Sequence, residues 1–432
     1  MSRAMKDSEI PWIGEIPKTW QVMPYKRIMH KEKELLEKYN GEDVLSLTMR
    51  GVIVRDLDGG GKMPSSFDGY QKVYSGEILQ CLFDIDVTPR CVGLIKNDGI
   101  TSPAYSRFVV HSNAYAAYYN HQLRYMDDNK VLLHLSKNIR SSLKEDDFGV
   151  VNTCVPPLIE QQRIAEFLDR KCGEIDETIA LQEEFIEELK AYKQSVITEA
   201  VTRGLNPNVK FKDSGVDWIG KIPQRWKCEK VKHIISSITS GVSVNAEQIP
   251  ATDEDLGVLK TSSVSSNYFI PTENKKVDVE EMGRVSCPVK ADTIIVSRMN
   301  TPDLVGSAGY CKDNIPNLYL PDRLWQVETI KDRVSAKYLW RFLISLSARY
   351  YYSSLSQGTS SSMQNISQSQ FESAFVPVPP LTEQKQIADF LDNKCTEIDS
   401  LIAVKLQKIE ELKDYKKSVI YEYVTGKKEV NG

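Results

Sequence analysis

The sequence has 432 residues, 41% hydrophobic and 26% charged, which is enough for two or three domains with their own cores and excludes disorder as the default state. The formal net charge of −4 and the isoelectric point of about 5.9 argue against a protein that binds nucleic acid through bulk charge alone.

Membrane, disulfide and metal classes also find little support in the sequence. No apolar run reaches the roughly 18–20 residues that a membrane helix needs, and MSRAMKDSEI lacks a signal-peptide core, so we expect a cytoplasmic protein. The eight cysteines are too sparse for a disulfide scaffold. Without a C-x-x-C pair or an H-E-x-x-H motif, no metal site is predicted.

A phrase near the start of the chain is written twice. DSEIPWIGEIPKTW at 7–20 recurs as DSGVDWIGKIPQRW at 213–226, and we call these two segments the head phrases. Between 6–20 and 212–226, 9 of 15 positions are identical, at an offset of 206. Long repeats of this kind determine an architecture, so the chain reads as two tandem copies.

Each head phrase is followed by a variable segment that reads as α/β. In the first, strands are predicted at 76–85, 91–100 and 106–110, before a Tyr-rich helix at 113–126. In the second, strands are predicted at 291–299 and 323–330, before a helix at 336–355. The two segments share this plan although their sequences are dissimilar.

Each variable segment is followed by a long helix. Paired prolines at 156–157 and 379–380 stop the preceding structure, and apolar residues then recur at alternating steps of four and three, as in a coiled coil. Residues 157–202 and 380–425 share 29 of 46 positions, so the natural partner of each helix is the other. The predicted seam is Leu168, Ile175, Ile179, Ile186, Leu189, Val196, Leu391, Ile398, Ile402, Ile409, Leu412 and Val419.

Some seam positions are polar or small. Lys193 and Lys416 weaken an ideal zipper and are predicted to set its register, with Gln182 and Lys405 in the same role. Cys172 and Cys395 fall on the seam as small buried hydrophobes.

No motif in the chain predicts catalysis. GGGK at 59–62 lacks the spacing and the Ser or Thr of a phosphate-binding loop, and GSAGY at 306–310 follows no βα pattern. The Asn-Pro-Pro-Tyr or Asp-Pro-Pro-Tyr motif type of amino-methyltransferases is absent from the sequence. The chain is therefore predicted to do no chemistry itself.

Over essentially its whole length, the chain resembles the specificity subunit of type I restriction-modification systems. The resemblance rests on the repeated W-I-G-x-I-P-x-x-W, on P-P-L-x-E-Q-x-x-I-A-x-F-L-D at 156–169 and 379–392, and on the order variable, conserved, variable, conserved. GITSPAYSRF at 99–108 and ADTIIVSRMNTPDLVG at 291–306 also look like stretches of that family's variable domains.

The resemblance implies a fold of two pseudo-twofold-related α/β (α+β) target-recognition domains separated by an antiparallel coiled coil of two conserved helices. The implied division is a first recognition domain at 1–156, a first conserved helix at 157–205, a linker with the second recognition domain at 206–379, and a second conserved helix at 380–432.

The family resemblance also implies a function. Each recognition domain would read one half of a bipartite, asymmetric double-stranded DNA site, while the helices fix the spacer and dock two methyltransferase subunits. Through these, restriction and translocase subunits would join the complex. S-adenosylmethionine, ATP and Mg²⁺ would then be bound by the partner subunits, and this chain would hold no cofactor, catalytic residue or metal.

The DNA-reading residues are predicted from residue type, because base edges need bidentate or short polar partners. A structural role, such as helix capping by Ser141 or Ser361, remains open for each of them. The candidates are Arg90, Tyr105, Arg107, Lys137, Asn138, Arg140, Ser141, Ser142, Arg298, Asn300, Arg323, Gln357, Ser360, Ser361, Ser362, Gln364 and Asn365.

Two other functions remain open from the sequence. One is a stand-alone DNA methyltransferase or nuclease with unrecognised motifs, and the other is a coiled-coil assembly protein with two ligand-binding domains. The repeat also predicts that the two ends of the chain lie near each other, because joining them recreates the order of the central segment around 203–217.

Overall fold

The computed structural model describes residues 3–59, 64–88, 90–135, 142–360 and 363–430, and for 357–360 it describes the backbone alone. The chain divides into two units: unit 1 comprises 1–183 with 406–432, and unit 2 comprises 184–405. Each unit therefore contains one variable segment and parts of both long helices. The predicted fold class, recognition domains of mixed helix and strand joined by long helices, is confirmed.

Unit 1 begins with a hairpin and a series of short strands, followed by three helices and the first long helix. Its elements are β1 (Met5–Asp7), β2 (Glu15–Pro17), β3 (Gln21–Pro24), β4 (Met29–Glu32), β5 (Leu45–Thr48), β6 (Gly51–Val54), β7 (Gln71–Val73), β8 (Ile78–Gln80), β9 (Val92–Leu94), β10 (Gly99–Thr101), β11 (Ser106–Val110), α1 (Ala116–Asp128), α2 (Val131–Leu135), α3 (Glu145–Gly149), β12 (Asn152–Val155) and α4 (Leu158–Arg203), which continues into unit 2.

Unit 2 repeats this order with additional strands. Its elements are β13 (Phe211–Asp213), β14 (Lys221–Pro223), β15 (Lys227–Lys230), β16 (Ile235–Ser240), β17 (Gly257–Leu259), β18 (Asn274–Lys276), β19 (Pro288–Val289), β20 (Thr293–Ser297), β21 (Met299–Asn300), β22 (Ala308–Cys311), β23 (Ile315–Tyr319), β24 (Leu324–Thr329), α5 (Ala336–Leu343), α6 (Leu346–Leu355), β25 (Gln357–Ser360), β26 (Met363–Asn365), α7 (Gln368–Ser373), β27 (Phe375–Val378) and α8 (Leu381–Val424), which continues into unit 1.

The same four-stranded antiparallel sheet forms the centre of both variable segments. Its order is β4-β11-β8-β9 in unit 1 and β16-β24-β20-β22 in unit 2, so equivalent strands occupy equivalent places. β20 has the sequence TIIVS and is buried along its whole length, which is why an unbroken β-branched run forms a central strand. The five strands predicted from the sequence are found: β11 has the predicted bounds, and β8, β9, β20 and β24 are shorter than predicted.

The units differ in what surrounds this sheet. Unit 2 adds a second four-stranded sheet, β18-β17-β23-β19, whereas unit 1 has the two-stranded pairs β5-β6 and β7-β10. The central sheet is thus common to both units, and the structural differences lie in the strands around it.

Each head phrase folds into a short hairpin, β1-β2 or β13-β14, that ends at a fully buried tryptophan. Trp20 Nε1 donates to Glu160 Oε2 at 2.9 Å, and Trp226 Nε1 donates to Glu383 Oε2 at 3.1 Å. Both glutamates lie in the first turn of a long helix, where a carboxylate is favoured by the helix dipole. The repeated phrase therefore attaches each hairpin to the start of a helix.

A buried tyrosine ties each variable segment to the end of the other long helix. Tyr118 Oη donates to the Val424 carbonyl at 2.8 Å in unit 1. In unit 2, Tyr338 Oη donates to the Pro377 carbonyl at 2.7 Å, and the Val201 carbonyl lies 3.2 Å away. Each tyrosine is fully buried, so these bonds are made where no water can replace them.

The long helices run antiparallel within each unit. In unit 1, Lys416 Nζ lies 2.6 Å from Asp176 Oδ2, and in unit 2, Lys193 Nζ lies 2.6 Å from Asp399 Oδ2. Both lysines are seam residues and their partners are equivalent positions of the repeat. Each predicted seam residue is buried or half-buried, while most of the residues between them are exposed.

The two ends of the chain meet in unit 1, as predicted, within the described residues. Tyr421 Oη donates to the Ile13 carbonyl at 3.2 Å, and Lys427 Nζ donates to the Glu15 carbonyl. Gly426 has a φ of +70°, and a Cβ there would lie 2.5 Å from Pro17 Cδ, so only glycine fits this close approach.

The tyrosine anchor can be tested by removing one hydroxyl. We expect Tyr338→Phe to lower the free energy of unfolding by about 1–2 kcal/mol, because it leaves a buried carbonyl without its donor. Urea denaturation followed by circular dichroism measures the change. Tyr350→Phe is the control, since Tyr350 is 72% exposed; equal effects of the two variants would contradict the anchoring role.

Candidate nucleic-acid interface

Several predicted DNA-reading residues of unit 2 come together on a small three-stranded sheet, β21-β26-β25. Asn300 is paired with Gln364, and Met299 is paired with Asn365, in antiparallel register. Gln357 faces Asn365 from the third strand. Asn300 is more than fifty positions from the other residues in sequence, and the sheet brings it next to them. The side chains of Asn300 and Gln364 share one face of the sheet, and Asn365 lies on the other face.

Arg298 and Arg323 join this sheet to the central one. Arg298 N donates to the Arg323 carbonyl at 3.1 Å, and Ile366 N donates to the Arg298 carbonyl at 3.0 Å. The Arg298 side chain is half-buried, whereas Arg323 is exposed. Arg323 is therefore a cation at the end of a rigid strand, β24, with its guanidinium open to solvent.

The turn after β21 is held by a half-buried arginine. Arg349 on α6 donates through Nη1 to the Val305 carbonyl at 2.6 Å and through Nη2 to the Asp303 carbonyl at 2.5 Å. Burial lowers the pKa of Arg349 to about 10, which still leaves it protonated at neutral pH. It fixes the turn 301–306 and so the position of Asn300 beside it.

The Asn300 amide is partly engaged within this turn. Its Oδ1 accepts from Thr301 N at 2.9 Å, and its Nδ2 donates to Ser297 Oγ at 3.4 Å. Asn365, in contrast, is exposed. Of these two amides, Asn365 is therefore the one more open to an incoming ligand.

A polar cleft of about 570 Å³ lies next to Arg323 in unit 2. Lys260, Lys275 and Arg323 contribute three cations, and among the described residues that line it there is no carboxylate. Lys260 is weakly paired with Glu273 at 3.8 Å. The side chains and charges of this cleft suit a phosphate backbone. Its lining residues are Ser243, Val244, Asn245, Ala246, Val258, Leu259, Lys260, Thr261, Ser262, Lys275, Pro321 and Arg323.

Sequence reasoning found Arg323 but missed Lys260 and Lys275. The adjacent Lys276 is bound to Asp255 at 3.0 Å, and this hydrogen bond raises the pKa of Lys276. Lys275 points to the opposite face of the same strand, where it lines the cleft. The sequence NKK at 274–276 does not indicate which lysine faces the cleft, because that depends on the orientation of strand β18 in its sheet.

In unit 1, the two predicted arginines lie inside the fold. Arg90 Nη1 donates to Asp128 Oδ1 at 2.7 Å and to Asp127 Oδ2 at 3.1 Å. Arg107 forms a bidentate pair with Glu77, at 2.7 and 2.8 Å. Both side chains are more than nine-tenths buried, so a base contact by either would first have to break an internal ion pair.

Of the remaining unit 1 candidates, the structure describes Tyr105 and Ser142. Tyr105 is half-buried and stacks on Phe83, with ring centroids 6.2 Å apart, and burial raises its pKa. Ser142 borders a cavity of about 850 Å³ that is lined mainly by apolar side chains. Lys137, Asn138, Arg140 and Ser141 lie outside the described residues, as do Ser361 and Ser362 in unit 2; for Gln357 and Ser360 only the backbone is described.

Within the described residues, no group of three or more His, Cys, Asp or Glu side chains is arranged to hold a metal ion. In the same part of the chain, no helix is both long and apolar enough to cross a membrane.

The structure has two related α+β units, and each is attached to antiparallel parts of the two long helices. In unit 2, strands and loops carry a polar and basic surface. Residues 243–413 match the family model described as the type I restriction modification DNA specificity domain. Over this part of its length, the chain is similar to the specificity subunits of type I restriction-modification systems.

One relative is itself named as such a specificity subunit. The chain is 26% identical over 256 residues to the type I restriction enzyme EcoKI specificity subunit of Escherichia coli strain K12. That match covers 57% of this chain and 51% of the relative, so the chain matches about half of the relative's length.

Two solved structures share the fold. One, described as the structural basis underlying complex assembly and conformational transition of the type I R-M system, has a TM-score of 0.68 at 15% identity. The other, the HsdS subunit from Thermoanaerobacter tengcongensis, has a TM-score of 0.51 at 16% identity. Each alignment covers 95% of this chain and 98% of the other.

The contrast between internal and surface arginines is testable. We expect Arg107→Met to lower the free energy of unfolding by about 3 kcal/mol, because it leaves the Glu77 carboxylate buried without its partner. Arg323→Ala, at an exposed position, should change it by less than about 0.5 kcal/mol. Urea denaturation of both variants measures this; a stable Arg107→Met protein would show that the ion pair is dispensable.

Proposed function

We propose that this chain is the DNA sequence-specificity subunit of a type I restriction-modification complex. Each unit reads one half of a bipartite, asymmetric site on double-stranded DNA, and the paired helices set the unread spacer between the halves. The chain itself is not an enzyme; it directs enzymes to their site in the cytoplasm.

The observation that carries the proposal is the repeated attachment of divergent surfaces to one framework. Trp20 and Trp226 bind equivalent helix glutamates, and Tyr118 and Tyr338 bind equivalent helix ends. The outer strands and loops, in contrast, differ between the units. Such an arrangement suits a protein that presents two different readers to one ligand while offering two related docking places to one kind of partner.

The partners follow from the same arrangement. Two methyltransferase subunits would dock on the helices and bind S-adenosylmethionine, and restriction and translocase subunits that use ATP and Mg²⁺ would join through them. The net charge of −4 supports this division, because neutralising the phosphates of a long DNA site needs a net positive charge that this chain does not have.

In unit 2, we assign the cleft at Lys260, Lys275 and Arg323 to the phosphate backbone and the amides of β21 and β26 to base edges. A lysine ammonium is a point charge suited to phosphate, whereas Asn and Gln can form bidentate pairs with adenine. Strands hold both groups in place, and Arg349 holds the turn that follows Asn300, which limits the bases that fit.

The experiment is to express the chain with its cognate methyltransferase subunit and to sequence the host DNA for N6-methyladenine. We expect methylation at one bipartite motif that disappears when this chain is omitted. The purified chain incubated alone with DNA and labelled S-adenosylmethionine should transfer no methyl group.

The other two possible functions predict different results. Methyl transfer by the chain alone would identify a stand-alone methyltransferase. A chain that binds no methyltransferase subunit and protects no DNA sequence would be an assembly protein with another ligand. Either outcome would overturn the proposed function.

Substitutions in unit 2 separate phosphate from base contacts. Lys275→Ala should weaken DNA binding by the complex for all sequences and lower the slope of log K against log salt by about 1. Asn365→Ala should instead cost about 1–3 kcal/mol at one base pair and relax that position of the motif. Fluorescence anisotropy over a salt series measures the first effect and methylome sequencing the second.

The internal control for Asn365→Ala is the other half-site. Because unit 1 is unchanged, the half of the motif that it reads should keep its sequence in the Asn365→Ala complex. Loss of specificity in both halves would point to a folding defect, and an unchanged motif would remove Asn365 from the set of base readers.

A further inference from the structure

The repeat provides a comparison of equivalent positions in which one aromatic ring is missing. In unit 1, Tyr423 near the end of α8 lies against Phe167 near the start of α4, with ring centroids 4.4 Å apart. The equivalent pair in unit 2 is Ala200 and Phe390, at the repeat offset of 223. Phe390 therefore has no tyrosine at the place where Phe167 has one.

Unit 2 has a surface groove of about 480 Å³ at this place. Ala200 lies in it, and Phe390 and Tyr192 line it from the two long helices. Four of the apolar side chains that line the groove are 40–51% exposed, although a folded chain would normally cover such a group. They are Tyr192, Leu205, Phe211 and Phe390.

We propose that this groove receives an aromatic side chain of one methyltransferase subunit, which takes the place that Tyr423 occupies in unit 1. The inference rests on the proposed function, since it names the docking site of the partner already assigned to the helices. It adds that the two docking places differ. In unit 1, Tyr423 of the chain itself covers Phe167, whereas in unit 2 a side chain of the partner would cover Phe390.

The lining favours a protein side chain over a small ligand. The groove is formed by one face of α4 and the start of α8, which belong to the repeated helices, and by the segment from Gly204 to Phe211. None of it belongs to the divergent variable segment. Its polar residues Glu199 and Arg203 are exposed. A small molecule needs buried polar groups to orient it, whereas an aromatic anchor with a polar rim is typical of protein interfaces.

Unit 1 shows which kind of side chain fits the groove. Tyr423 on Phe167 shows that a ring stacked on this phenylalanine fits the framework, and the same phenylalanine stands uncovered in unit 2. Two copies of one partner would then meet unequal surfaces, so we expect the unit 2 side to bind through the groove and the unit 1 side through other contacts.

The test fills the groove from within. Ala200→Tyr should place a ring on Phe390 as Tyr423 does on Phe167. Titration of the full-length chain with purified methyltransferase subunit, followed by native mass spectrometry, should give two subunits bound to the original chain. In Ala200→Tyr, one subunit should bind as before and the other at least tenfold more weakly.

Two variants serve as controls. Ala403→Tyr adds the same ring at an exposed position of α8 that does not line the groove, and it should leave both binding steps unchanged. Tyr423→Ala opens the equivalent groove in unit 1 and should weaken neither step. Thermal unfolding of each variant confirms that it is folded.

Each outcome decides between the alternatives. If the original chain binds two subunits and Ala200→Tyr binds them equally tightly, the groove is not the docking site. The same holds if Ala403→Tyr weakens binding as much as Ala200→Tyr. If the original chain binds no methyltransferase subunit, the proposed function itself fails. Self-association of the original chain that Ala200→Tyr abolishes would make the occupant a second copy of this chain.

Discussion

The pairing of the two long helices is the constraint on which the rest of the structure depends. A helix of 46 residues with an apolar stripe cannot cover that stripe with a small domain, so α4 and α8 have to cover each other. Apolar seams alone allow a helix pair to slide by a heptad. The half-buried Lys193 and Lys416, each 2.6 Å from an aspartate of the facing helix, oppose such sliding, because a shift would leave both ammonium groups among apolar side chains. The register of the pair in turn fixes which helix end each variable segment can reach.

That register explains why the head phrase occurs twice. Each unit is assembled from the start of one long helix and the end of the other, and the tryptophan of the head phrase lies where the two meet. Gly204 and Gly426, with φ of +77° and +70°, end the helices beside Trp226 and Trp20. In unit 2, one continuous segment connects the end of α4 to the second head phrase. In unit 1, the end of α8 and the first head phrase are joined instead by contacts between the two ends of the chain. The phrase is thus a structural signal for closing the framework.

The sequence predicted the framework far better than the reading surface, for a physical reason. Seam positions such as Leu168 and Leu391 follow a period set by helix geometry, and the tandem copies reveal it twice. The site has no such period. Arg107 and Arg323 look alike in the sequence, but one is bound to Glu77 inside the fold and the other is open to solvent. Lys275 and Lys276 are neighbours that face opposite sides of one strand. Which cation is free depends on long-range pairing, and a single sequence does not encode that pairing in a local pattern.

The contacts between framework and variable segments also show how the segments could diverge. The helices present the same acceptors in both units, and the variable segments meet them with different chemistry. Asp392 accepts from Arg341 at 2.7 Å, whereas the equivalent Asp169 lies 2.8 Å from His121. Gln384 and Gln161 each accept from a backbone N–H, which any residue except proline can offer. Besides the apolar core, each segment thus attaches through one side chain for the aspartate, one backbone N–H and one buried tyrosine. Because these contacts do not involve the outer strands, those strands can differ between the units while the attachment to the helices stays the same.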